Sequence, residues 1–356
     1  MTIAVDCRML DASGVGVYLK GCLPLFLQSI HNFLLLGNTK HLRPFEAYGN
    51  ARIIPCNIKS FSLKEFFFPP RIIRQINRAQ AYFSPFFNIP RGITIPVCTV
   101  IHDIIFPDMP ELVSKTGLKT RMWFYRRAYK KSAKIFTVSE FSKTRIEYHL
   151  GKTKPVIVAH SAIQSAFLKY RNTAVNIPKK ETIVFIGNIK KHKGLDCLLD
   201  AFIAARNEGL SHKLIIIGSK ENFRTADNTT FRKIESTGNN AVSFTGFITD
   251  EQLMEYVSAA ALLIQPTLYE GFCLPPLEAL VLGTPALISD IPVLKEIYSG
   301  FPVTFFRADD AIDLKCKMQE LLHKNERPEL NTDLLSKYTF EKTASVILKE
   351  LEAINT

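Results

Sequence analysis

The chain has 356 residues, 47% of them hydrophobic and 22% charged, and a net charge of +12 at pH 7. That balance excludes a low-complexity or collagenous chain, and the length predicts about two folded domains. Seven scattered cysteines with no Cys-x-x-Cys pair exclude a disulfide framework and a cysteine zinc site, and predict a reducing compartment.

In chain order, Ile3–Val5 reads as a strand closed by Asp6. Ser13-Gly14-Val15-Gly16 follows, ahead of a helix. Glycine permits close backbone approach to a phosphate, but so short a Gly-x-Gly fits a plain tight turn equally well. The apolar run Gly21–Gly37 is too short and too interrupted, by Pro24, Gln28, His31 and Asn32, to span a bilayer. It predicts a buried helix over Gly21–Phe33, and with a strand at the start of the chain no signal peptide is expected. Strands at Arg52–Pro55, Ala81–Ser84, Val97–Ile101, Lys134–Val138 and Val156–Val158 alternate with helical stretches, notably Lys115–Lys131 and Glu140–His149. This alternation predicts a parallel sheet with helices on both faces. His102-Asp103 follows one of these strands, where a histidine bonds hydroxyls or carries protons, or is simply a satisfied loop residue.

Charge is uneven. Residues 1–165 hold 23 Lys and Arg against 9 Asp and Glu, a net +14, and the remainder is −2. The excess points to an anionic partner for the first half: a membrane, nucleic acid or a phosphorylated substrate. Lys115–Lys134 and Lys59–Arg78 mix basic with aromatic residues, which suits an anionic membrane surface; packing of those aromatics in a core is the alternative. No known nucleic-acid motif is present, so no nucleic-acid partner is expected.

Residues 166–180 are polar, contain Pro178 and read as a linker between a domain at 1–165 and another at 181–335. The second domain predicts strands at Thr182–Gly187, Lys213–Gly218, Val242–Phe244, Ala261–Ile264 and Thr284–Ile288. Its helices are predicted at Leu195–Asn207 and at Asp250–Ala259, the latter capped by Thr249 or Asp250. Residues 336–356 hold a helix expected to return to the first domain.

Two segments of this half carry chemistry. In Phe185–Leu195 a strand runs into a loop with Lys190, Lys191, His192 and Lys193, then into a helix. That is the rim where open α/β sheets bind ligands, and the lysines there favour an anion site over a solvated face. In Tyr269–Leu280, Glu270 precedes and Glu278 follows Pro275-Pro276, which suits a helix start. The two carboxylates fit hydroxyl binding, and equally a helix-dipole partner and a solvated loop acid.

Taken together, SGVGVYL at 13–19, IHDIIFPDMPE at 101–111, IFTVSEFSK at 135–143, FIGNIKKHKGLDCLLDAF at 185–202, FTGFITDEQL at 244–253 and YEGFCLPPLEALVLGTPALISDIPVLKEI at 269–297 resemble glycosyltransferase family 4. These are retaining GT-B enzymes of polysaccharide and lipopolysaccharide assembly, and the likeness spans nearly the whole chain. The resemblance implies an α/β GT-B fold, two Rossmann-like domains facing each other across a cleft. It implies that Gly14 and Gly16 admit the donor pyrophosphate. Lys193, with Asn188 nearby, binds the diphosphate, and Glu270 contacts the donor sugar. Glu278 takes the ribose hydroxyls, and backbone N–H groups around Gly271, Phe272, Cys273 and Leu274 complete the phosphate cradle. His102 touches the transferred sugar, and the loop with Phe247 and Ile248 lies by the base.

Many members carry arginine where this chain has Asn188, so phosphate neutralisation would rest on Lys193 with Lys190 or Lys191. No Asp-x-Asp metal motif is present, and neither a metal nor a cofactor is expected. The implied partners are a nucleotide-sugar donor, with GDP-mannose the best match, and a glycan acceptor carried on polyprenyl diphosphate. The implied place is the cytoplasm, peripheral on the inner face of the membrane. The alternatives are another GT-B enzyme, a phosphorylase or epimerase, and a non-catalytic basic nucleic-acid-binding protein.

Overall fold

The computed structural model describes residues 1–60, 63–218, 233–234 and 241–354. Phe61 and Ser62, part of the basic and aromatic segment Lys59–Arg78, lie outside them. The chain divides into two units, residues 1–164 with 337–356, and residues 165–336. Each is built on a wholly parallel sheet, and the fold class is α/β.

In the first unit the strands are β1 (Thr2–Asp6), β2 (Asn32–Gly37), β3 (Ala51–Pro55), β4 (Ala81–Ser84), β5 (Val97–Val100), β6 (Lys134–Thr137) and β7 (Val156–Val158). Their order is β3-β2-β1-β4-β5-β6-β7. Every residue of β4 and β5 is buried, as expected where helices cover both faces of a parallel sheet.

One correction concerns the apolar run after Lys20. The helix there is Ser13–Leu27, and Asn32–Gly37 is a strand, not a continuation of the helix to Phe33. The chain turns at Gln28–His31, where Ser29 Oγ donates to the Phe26 carbonyl at 2.6 Å. The Leu34-Leu35-Leu36 run then pairs with β1 on one side and β3 on the other. A fully buried parallel strand has no period of two, so a run of leucines reads equally as buried helix.

The second unit holds β8 (Lys180–Ile186), β9 (Lys213–Ile217), β10 (Val242–Gly246), β11 (Ala260–Gln265), β12 (Ala286–Ser289) and β13 (Thr304–Phe306), in the order β10-β9-β8-β11-β12-β13. The expected linker is instead largely helical: Ser165–Ala174 is a helix of the second unit that packs on helices Asp250–Ala259 and Pro275–Val281. It buries Phe167 and Ala174, the apolar contacts that a polar-looking sequence concealed. Helix Asp250–Ala259 starts with a capping box, Thr249 and Gln252 each bonding the other's backbone N–H.

The C-terminal helix Phe340–Glu352 belongs to the first unit and packs on helix Ser13–Leu27. Gly21 permits that contact: a Cβ there would meet the Phe340 ring at 2.3 Å. No described helix is long and apolar enough to cross a membrane.

Candidate functional site

Strand order selects the place to look. In the second unit the connectivity reverses between β8 and β11, and in open α/β sheets ligands bind beyond the carboxyl ends of the strands at such a switch. The loop after β8 carries Asn188 and Lys190, then a short 3-10 turn over Lys191–Lys193. The loop after β11 carries Glu270. Lys193 Nζ donates to Glu270 Oε1 at 2.5 Å, and both side chains are mostly shielded from solvent.

Backbone bonds join the two loops. The Leu268 N–H donates to the His192 carbonyl at 2.7 Å, and Thr267 Oγ1 donates to the same carbonyl at 3.0 Å. Gly194 then lets the chain turn into helix Leu195–Asn207. Its φ is +67°, and a Cβ there would sit 1.9 Å from the Pro266 carbonyl oxygen. Only glycine fits both the left-handed turn and that approach.

Beyond Glu270, the Gly271–Leu274 segment leads into helix Pro275–Val281. Cys273 is buried with φ +74°, and the Tyr298 hydroxyl donates to its carbonyl. The left-handed turn aims the next peptide units, and among the described residues no backbone carbonyl accepts the N–H of Cys273 or Leu274. The Cys273 thiol is within electrostatic reach of Glu270, Lys193 and Glu278, so these three charged groups converge on one corner. Burial, and then the carboxylates, push that thiol well above its ordinary range.

Glu278 is buried, and its carboxyl is raised to about 7 by that burial and then by the charge of Asp250. Asp250, which follows the Gly246–Thr249 loop and opens its helix, is within electrostatic reach of Glu278. In that loop Phe247 is 83% exposed and Ile248 half-buried. Asn188 is half-buried at the end of β8. His192, which the sequence reading left without a role, has its imidazole lowered to about 4 by burial and then by Lys193. It acts through its backbone carbonyl, which has no sequence signal. Tyr298, 25 residues from Cys273, was equally unannounced.

The remaining candidates, Gly14, Gly16 and His102, sit in the first unit, beyond the carboxyl ends of β1 and β5. Gly14 and Gly16 lie inside the first turn of helix Ser13–Leu27 and not in a loop before it. A Cβ on Gly16 would meet the Leu10 carbonyl oxygen at 2.5 Å, so this glycine is needed for packing whatever else it admits. Space around the Gly14 Cβ position is open. His102 Nε2 donates to the Pro85 carbonyl at 2.9 Å, which puts the ring N–H on Nε2. Its ring meets Tyr18 edge-on at 5.1 Å, and burial lowers it to about 4, so it is neutral at pH 7.

The carboxyl end of β1 also holds a buried ionic network. Asp6 takes two bonds from the Arg8 guanidinium and a third from the Arg8 backbone N–H; the guanidinium reaches on to Glu65, and Glu65 accepts from Asn88 Nδ2 at 2.9 Å. The Tyr82 hydroxyl donates to Asp6 at 2.7 Å. Among the described residues no group of His, Cys, Asp and Glu is arranged to hold a metal ion.

The reversal point of the second sheet thus brings together a lysine, two carboxylates and, among the described residues, backbone N–H groups with no backbone acceptor, an arrangement chemically suited to an anionic, hydroxylated ligand. Residues 169–334, nearly the whole of the second unit, match the family described as Glycosyl transferases group 1. The chain is 26% identical over 226 residues to O-antigen chain mannosyltransferase B of Escherichia coli, covering 61% of this chain and 58% of that protein. It is 27% identical over 205 residues to the serotype-specific mannosyltransferase WbdA of Escherichia coli, covering 54% of this chain and 25% of that protein. It thus spans little more than half the length of the first relative and a quarter of the second. Among solved structures, Anabaena HepE in complex with UDP and glucose superposes over 99% of this chain and 100% of its own, with a TM-score of 0.70 at 15% identity. That likeness shows the fold, which is GT-B in its two Rossmann-like units.

Proposed function

We propose that this protein is a retaining glycosyltransferase that moves a sugar, mannose the favoured one, from a nucleotide-sugar donor to a lipid-linked glycan in cell-surface polysaccharide assembly. The observation that carries the reading is the pairing of Lys193 with Glu270 at the reversal point of the second sheet. The donor diphosphate takes the Lys193 ammonium and the N–H groups of Cys273 and Leu274. Glu270 turns to the sugar hydroxyls, Glu278 to the ribose, and exposed Phe247 offers a face to the base. The anomeric C–O bond breaks with its electron pair going to the diphosphate. Cation and backbone donors already in place stabilise that charge as it develops, without reorganisation.

The acceptor oxygen bonds to the anomeric carbon on the face the diphosphate leaves, and the released phosphate oxygen takes its proton. No step requires a metal. The two Escherichia coli relatives are named mannosyltransferases, which favours mannose and hence a guanosine diphosphate donor; HepE's bound UDP makes uridine the competing base. The site of action is the cytoplasmic face of the membrane.

A thermal-shift panel of GDP, UDP and dTDP with their sugar conjugates tests the donor, since a ligand of the native state alone raises its apparent stability. A shift with GDP and GDP-mannose that Lys193→Ala abolishes is expected. No shift with any nucleotide would overturn the reading. The anomeric configuration of the product, read by NMR, tests retention.

A further inference from the structure

The basic and aromatic segments of the first unit do not all go into its core. Helix Lys115–Lys131 carries seven Lys and Arg and no acid. It buries Tyr125, Ala128 and Tyr129 on one face. On another, at spacings of three and four, stand Trp123, Arg126, Arg127, Lys130 and Lys131, which line an open recess of about 500 Å³. The Phe66-Phe67-Phe68 run divides in the same way: Phe68 is in the core, whereas Phe67 is 64% exposed. Phe66 bridges the two segments, its ring 5.1 Å from Phe67 and 5.5 Å from Trp123, itself 50% exposed.

Arginines hold the cluster together. The Arg127 guanidinium lies 4.6 Å from the Phe66 ring and donates to the carbonyls of Ile89 and Pro90. Arg91 lies over both Phe66 and Phe67, at 5.3 and 5.6 Å. Among the described residues no ion pair involves Arg91, Arg126, Arg127, Lys130 or Lys131. Burial and the Arg91 charge lower Arg127, the mark of cations gathered without a counter-ion.

We propose that this face, with Phe67 and Trp123 as apolar wedges and Arg91, Arg126, Lys130 and Lys131 around them, docks the protein on an anionic lipid bilayer. A soluble polyanion would satisfy the cations and leave Phe67 in water. A bilayer interface takes both, the phenyl ring among acyl chains, the indole at headgroup level and the cations on lipid phosphates. This inference names the surface for the membrane site of action proposed above and rests on that reading for its biological sense, although the docking itself needs no donor or acceptor.

Co-sedimentation of the full chain with vesicles tests it, without nucleotide. Binding to equimolar phosphatidylcholine and phosphatidylglycerol, absent on phosphatidylcholine alone and weakened by salt, is expected. Phe67→Ser with Trp123→Ser, and separately Arg126→Glu with Lys130→Glu, should each reduce partitioning by roughly tenfold or more. The GDP thermal shift serves as the control for folding and should be unchanged in both pairs. Wild-type protein that ignores anionic vesicles, or that prefers single-stranded nucleic acid to them, overturns the proposal, as do variants that bind as well as wild type. Wild-type protein that shows the nucleotide shift but does not bind anionic vesicles would sink the docking face alone. Vesicle binding without any nucleotide shift would sink the donor reading alone.

Discussion

Lys193 and Glu270, 77 positions apart in the chain, form an ion pair at 2.5 Å because β8 and β11 are neighbours at the one place in their sheet where connectivity reverses. Each compensates the other while no diphosphate is present. On the function proposed above, a bound donor competes with Glu270 for the ammonium, and the freed carboxylate then accepts from sugar hydroxyls. Binding and positioning are therefore coupled through a single contact.

Removing one partner should not equal removing the other. Lys193→Gln is expected to weaken nucleotide diphosphate binding by roughly tenfold or more, since a charge-assisted bond is worth about 1.5–3 kcal/mol. Glu270→Gln leaves Lys193 more available and should hold or tighten affinity for the free nucleoside diphosphate while transfer collapses. Calorimetric titration beside a transfer assay separates the two outcomes. Equal loss of affinity in both variants would contradict the coupling.

Glu278 makes stability depend on pH. Its carboxyl sits near 7 in the folded chain against an ordinary 4.5, raised by burial and then by Asp250. The folded state thus holds a proton that the unfolded state gives up first. Stability is full below about 4.5, falls as pH rises to about 7, and stays lowered above it. Glu278→Gln removes this dependence. Its stability relative to wild type should rise across that window, by roughly 2–4 kcal/mol at most, from the usual conversion of a pKa difference. Chemical denaturation at pH 4.5 and pH 8 reads the difference.

Cys273 occupies a left-handed conformation that costs a side chain about 1–2 kcal/mol. Cys273→Gly should stabilise the second unit slightly, by roughly 0.5–1 kcal/mol, and keep nucleotide binding, because the backbone already has the required turn. A β-branched residue is worst tolerated there, so Cys273→Val should destabilise it and weaken nucleotide binding. Urea midpoints and thermal shifts of the pair check both signs.

The first unit has its own sensitive point in Arg8. Its side chain is 4% exposed and is the cation between the buried carboxylates of Asp6 and Glu65. Arg8→Met leaves two buried like charges and should cost roughly 3–5 kcal/mol. Adding Glu65→Gln should restore part of this, and recovery in the double variant measured by urea unfolding is the expected sign.

Local information in the chain settled a good deal. The parallel α/β class, the span of helices Lys115–Lys131 and Leu195–Asn207, and the candidate segments around Lys193 and Glu270 follow from alternation, periodicity and residue type, because these are properties of neighbours along the backbone. The Leu34–Leu36 strand and helix Ser165–Ala174 went unread, since burial on two faces erases a strand's period and a short polar helix announces itself only through what it packs against. Which aromatics of 66–68 and 123–125 enter the core, and which stay in water, was likewise open until Phe68 and Tyr125 were seen inside and Phe67 and Trp123 outside. The juxtaposition of Lys193 with Glu270, the His192 carbonyl that joins their loops, and the Tyr298 bond to Cys273 belong wholly to the tertiary structure. They join residues far apart in the chain, and strand order, which local sequence does not encode, decides which loops meet.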